Sequence, residues 1–162
     1  MTKSNSSQST SHRRLVLADV ENLLGTGDPT EQAVVQIRQD LLDVIGDVSH
    51  TLFEVASSHH AAAAVSFGFP EGRHHWRSGP NGADLALLGV FESDWQVGRF
   101  DEVVIASGDG IFAEVAAAVA ASGVVCTVIT RRAGLSARLA MAASAIIFLG
   151  DPIIDEGQAD AA

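Results

Sequence analysis

The chain has one cysteine, four prolines and only ten lysines and arginines against twenty acidic residues. A single cysteine excludes a disulfide-stapled scaffold. Cys126 stands in the apolar run Val124-Val125-Cys126-Thr127-Val128-Ile129 and reads as a small buried hydrophobe. No apolar stretch approaches the roughly 20 residues that cross a bilayer. The opening residues are polar and serine-rich without an apolar core, so no secretory signal is expected, and a cytoplasmic location is. The formal charge of -10 excludes a bulk electrostatic grip on nucleic acid. Any such function must rest on locally placed charge. The six histidines lack the spacing of zinc ligands.

What the chain does have is apolar content. Hydrophobic residues make up 47% of 162, and the mean hydropathy is +0.22. That fills one domain's core and excludes a wholly disordered chain; it is also compatible with a homodimer. The organisation expected is a disordered polar arm over 1–13, one domain over 14–150 and an acidic flexible tail over 151–162.

Within the domain, strands and helices alternate. Leu15 to Val20 is a continuous apolar run of the kind that forms a buried parallel strand. Asp28-Pro29-Thr30-Glu31 reads as a helix start with Asp28 as N-cap. Val34, Ile37, Leu41 and Val44 follow at helical spacing, and Gly46 ends that helix. Residues 47–60 give no decisive pattern. Ala63 to Phe69 is read as the next strand, followed by a long loop with a short edge strand near His74–Arg77. A helix opens at Asn81 and carries Leu85, Leu88, Phe91 and Trp95. Val103–Ser107 is a strand, Phe112, Val115, Ala116 and Val119 mark a helix, Val124–Thr130 a strand, Leu135–Ala143 a helix and Ala145–Leu149 a last strand. The pattern predicts an α/β fold: a three-layer α/β/α sandwich with a mainly parallel, Rossmann-like central sheet.

In such sheets ligands bind beyond the carboxyl ends of the strands. The sequence puts Asp19, Glu21 and Asn22 there, then Arg73, His74, His75 and Arg77 with Asp84 beyond, then Ser107, Gly108 and Asp109, and finally Arg131 and Arg132. One aspartate at such a place is most simply a helix cap. Three converging on one edge would repel unless a proton or cation joined them, and an oxygen-only set suits Mg²⁺ or Mn²⁺. Gly108, Gly110 and Ala113 also match a dinucleotide fingerprint, with Arg131 and Arg132 placed for a 2′-phosphate. Against that stand its position after a late strand and the charge of Asp109 beside a pyrophosphate.

Three segments, Leu15-Val16-Leu17-Ala18-Asp19-Val20-Glu21-Asn22-Leu23, Gly82-Ala83-Asp84-Leu85-Ala86-Leu87 and Val103-Val104-Ile105-Ala106-Ser107-Gly108-Asp109-Gly110-Ile111-Phe112, resemble in order the NYN domains, a branch of the PIN-like nucleases. The resemblance spans residues 14–150. It implies a PIN-like sandwich and Mg²⁺- or Mn²⁺-dependent cleavage of RNA, single-stranded by expectation. Asp19, Asp84 and Asp109 are then the metal ligands, and Asn22 orients water or a phosphate oxygen. Ser107 supports the cluster, while Arg73, Arg77, Arg131 and Arg132 bind flanking phosphates. His74, His75 and Trp76 are placed to meet a base. The sequence departs from the family at Ile111, where a further aspartate is usual, and at Pro80-Asn81-Gly82-Ala83, which lacks the usual lysine. Glu21 or Glu114 is the candidate replacement acid. The loss at Ile111 opens a second expectation, a catalytically inactive module that binds RNA or protein.

Overall fold

The computed structural model describes residues 11–150. The expected acidic tail lies outside them, as does most of the expected N-terminal arm. The order along the chain is β1 (Arg14–Asp19), α1 (Val20–Leu24), α2 (Glu31–Ile45), β2 (Thr51–Ser57), α3 (Ala62–Gly68), β3 (Arg73–Trp76), α4 (Gly82–Asp94), β4 (Glu102–Ala106), α5 (Ala113–Ala121), β5 (Val125–Thr130), α6 (Ala137–Ala142) and β6 (Ala145–Phe148). Short 3₁₀ turns occupy Gly110–Phe112 and Arg132–Gly134.

The six strands form one sheet in the order β3-β2-β1-β4-β5-β6, with every pair parallel. Parallel strands are buried on both faces, and β1 is: Leu15 and Leu17 join one apolar cluster, Val16 and Ala18 the other. The first cluster takes in Leu87 and Phe91 of α4, Val115, Ala116 and Val119 of α5 and Leu139 of α6. The second takes in Leu23 of α1, Val34, Ile37 and Leu41 of α2 and Val65 of α3. The result is the expected three-layer sandwich. Strand order reverses between β1 and β4, and the crevice at that switch point is where a doubly wound sheet accepts ligands.

Three local expectations are corrected. Residues 63–69 are helical, not a strand: α3 covers Ala62–Gly68 and buries Val65. Its run of alanines favours helix, and four short apolar residues in a row mask the period. The strand lies earlier, at Thr51–Ser57, where polar Glu54 interrupts the apolar run. Helix α2 is capped by Thr30, whose Oγ1 accepts from the Ala33 amide at 3.1 Å, not by Asp28. Helix α4 is rotated from expectation. It buries Ala83, Asp84, Leu87 and Phe91, while Leu85 is exposed. With apolar residues nearly all round, its period does not select a face.

Candidate functional site

Asp19 closes β1 and caps α1, with Oδ1 accepting from the Asn22 amide at 3.1 Å. Asp84 sits in the first turn of α4, which crosses over β1 and β2. Both are buried, at 4% and 6% exposure, and their carboxyl groups stand within hydrogen-bonding reach of each other. Burial raises the Asp84 pKa from 3.8 to about 8, and the hydrogen bond and charge of Asp19 add to the rise. Burial also raises Asp19, against the opposing effect of its hydrogen bonds to Asp84 and the Asn22 amide. Asp84 Oδ1 is buried without a hydrogen-bond partner. Two carboxylates so placed hold a proton between them or attract a cation.

Asp109 follows β4 on the other side of the switch point. It acts on both aspartates through its charge, and its own Oδ1 caps the 3₁₀ turn by accepting from the Ile111 amide at 2.9 Å. Among the described residues no three His, Cys, Asp or Glu side chains are gathered to hold a metal ion. The expected trio is therefore a close pair with Asp109 as an outlying charge. Two carboxylates, one of them with an orphaned buried oxygen, still fit a hard divalent ion that keeps most of its waters.

Asn22 and Ser107 act on the backbone. Asn22 Oδ1 accepts from the Gly108 amide at 2.9 Å, and Ser107 Oγ accepts from the Asp109 amide at 3.2 Å. Ser107 thus supports the turn that carries Asp109. The tight turn needs its glycines for internal packing. A Cβ on Gly108 would stand 2.1 Å from the Gly134 carbonyl, and one on Gly110 2.7 Å from Ser136 Oγ.

A cleft of about 230 Å³ opens at the pair, lined by Asp19, Glu21, Asn22, Ser58, Arg77 and Asp84, with Asn81 at its lip. Glu21 Oε1 accepts from the Ser58 amide at 3.0 Å and from its hydroxyl at 2.6 Å, which fixes the acid at the cleft wall. Glu114 lines a separate groove with Ile111 and Arg138, so of the two replacement acids only Glu21 reaches the pair. Ser58 follows directly on β2, the strand whose pattern the sequence hides. Asn81, at φ 55°, is the one non-glycine residue with positive φ among the described residues; it opens α4, but its side chain caps nothing.

The four arginines divide. Arg131 donates from Nε to the Leu23 carbonyl at 2.8 Å and from Nη1 to the Gly150 carbonyl at 3.0 Å, so it ties backbone segments together. Arg132 lies over the Phe148 ring at 4.3 Å. Arg73 pairs with buried Glu54 and with Asp94. Arg77 is exposed, lines the acidic cleft and has no side-chain partner among the described residues. The expected aromatic platform is occupied from within: His74 stacks on Trp76 at 5.2 Å and donates to the Phe69 carbonyl, while His75 turns to Glu54.

Fold and site together define a three-layer, Rossmann-like α/β protein with a buried acidic pair beside its switch point. No family model matches the chain, and no curated protein does. Among solved structures it is similar to a protein of unknown function from Vibrio parahaemolyticus, 15% identical, covering 89% of this chain and 97% of that one at a TM-score of 0.61. At that identity the likeness speaks for the fold. No helix among the described residues is long and apolar enough to cross a membrane.

Proposed function

We propose that the chain is a metal-dependent ribonuclease acting on single-stranded RNA in the cytoplasm. The observation that carries this reading is the buried Asp19–Asp84 pair, with its orphaned oxygen, at the mouth of the cleft beyond the ends of β1 and β2. RNA as substrate follows the resemblance of the three motif segments to NYN domains. Asp19 and Asp84 would hold Mg²⁺ or Mn²⁺, with Asp109 contributing field. Such an ion, when bound, supplies an activated water and neutralises charge developing on a phosphate. Arg77 at the cleft wall meets a substrate phosphate. Glu21, fixed by Ser58, adds a further acid at the cleft wall. Asn22 and Ser107 hold the turn after β4 in place. A homodimer would form at the outer edge strand β6, where Ile147 and Phe148 remain exposed.

The test is cleavage of single-stranded RNA with Mn²⁺. Wild type cuts, Asp19→Asn and Asp84→Asn lose the activity, and Asp109→Asn loses less. Wild type that leaves RNA intact, or cuts as well without Asp84, overturns the proposal.

A second reading, a non-catalytic RNA- or protein-binding module, draws on Ile111 and on the absence, among the described residues, of three side chains gathered to hold a metal ion. Calorimetry separates them: RNA bound with no uptake of Mn²⁺ at millimolar concentration selects the binding module. The dinucleotide reading has less support, because Gly108 and Gly110 face the chain's own atoms.

A further inference from the structure

Beyond the acidic cleft, a groove of about 600 Å³ runs between β3 and α4. Arg77 lines both the groove and the cleft, so the two hollows share a wall. The groove's other charged groups, Arg73 and Asp94, are matched: Arg73 pairs with Glu54 and Asp94, and the His75 ring also engages Glu54. Glu54 is fully buried, and these contacts hold Arg73 and His75 in fixed positions. Arg77 is left as the groove's unmatched charge, and its sign is positive. The opposite wall contains Gly89, in the interior of α4. Glycine at an interior helix position is less favourable than alanine. Nothing among the described residues requires it, because a Cβ there meets no atom within 4 Å. The open space over Gly89 faces the groove, where a side chain would meet an occupant.

We propose that the β3–α4 groove is a nucleotide subsite, which seats the RNA nucleotide adjoining the one at the acidic pair, with its phosphate on Arg77 and its base or sugar against His75 and Gly89. A groove of this size suits a ligand of one nucleotide, and the imidazole, its edge held by Glu54, leaves a face for a base. RNA as the occupant rests on the ribonuclease reading; the groove, its charge and its helix glycine do not.

The experiment compares wild type with Gly89→Leu, Gly89→Ala and Arg77→Ala. Two readouts are taken: anisotropy of a short fluorescent single-stranded RNA without divalent ions, and KM for cleavage of the same RNA with Mn²⁺. Gly89→Leu is expected to weaken binding and raise KM about tenfold or more, and Arg77→Ala to act in the same direction. Gly89→Ala is expected to raise the Tm, showing that the fold does not need the glycine. Wild type and Gly89→Leu with the same affinity and the same KM overturn the subsite while leaving the ribonuclease standing. A wild type that binds RNA in the groove-dependent way but never cuts keeps the subsite and removes the ribonuclease. A wild type that neither binds nor cuts RNA removes both. Should Gly89→Leu not fold, unchanged RNA affinity in Arg77→Ala overturns the subsite.

Discussion

Asn22 Oδ1 accepts the Gly108 amide at 2.9 Å, which ties the turn after β1 to the turn after β4 across the switch point. The Gly108 amide is buried, so the bond's loss leaves a donor without water. Asn22→Ala is expected to cost about 1–3 kcal/mol in urea unfolding. It should also lower cleavage, because Asp109 rides on the released turn. Asn22→Asp keeps the acceptor and should retain more of the stability. Equal loss in both variants would mean that the carbonyl acceptor is not what matters.

The acidic pair predicts how stability depends on pH. Asp84 titrates at 3.8 when unfolded and at about 8 in the fold. Between those values the unfolded chain has released a proton that the native chain retains, so stability falls as pH rises. Below the lower value the contribution is fully present, and above the upper one it is lost. Without divalent ions, the Tm should therefore decline from pH 4 towards pH 8. Asp84→Asn should flatten that decline and melt higher than wild type at pH 8. Thermal scans across the range decide it, and a wild-type Tm that climbs steadily would contradict the burial argument.

Arg77 and Arg131 should separate cleanly. Arg77→Ala is expected to reduce the salt dependence of RNA binding by about one phosphate contact, a slope change of ~0.7 for a single strand, with little change in Tm. Arg131→Ala removes donors from the Leu23 and Gly150 carbonyls and should cost about 1–3 kcal/mol of stability while leaving the salt slope unchanged. Reversed outcomes would show that the exposed side chain is idle and the tied one binds substrate.

Arg73→Ala leaves Glu54, fully buried, with only the His75 ring as its remaining side-chain partner among the described residues. The expected cost is on the order of 2 kcal/mol, read by denaturant unfolding. Replacing both, as Glu54→Leu with Arg73→Ala, should recover part of that loss, since an apolar pair avoids stranding a buried charge. A double variant weaker than the sum of its parts would show that Glu54 stabilises by more than the ion pair.

Much of this was legible along the chain. The strands β1, β4 and β5 announce themselves because both faces of a parallel strand are apolar, and Asp19 stands out as a carboxylate ending such a run. Asp84 and Asp109 were legible as acids near helix starts. That the first closes on Asp19 while the second does not depends on how α4 crosses the sheet, which no local pattern encodes. The strand β2 was hidden by Glu54, whose charge is tolerable only because β3 supplies Arg73 and His75 from elsewhere in the chain. Arg131 looked like a phosphate ligand because its partners are main-chain carbonyls, and these leave no mark in a sequence.

Asp19 and Asp84 stand on elements of unequal resilience. Asp19 ends a central strand flanked by β2 and β4, among the last places to open. Asp84 belongs to the first turn of a helix entered through the left-handed Asn81. Fraying of that one turn would part the carboxyls while the sheet stayed intact. Amide exchange should accordingly run ahead at residues 83–85 of what it does at 15–18, and a divalent ion held by both acids should slow the former.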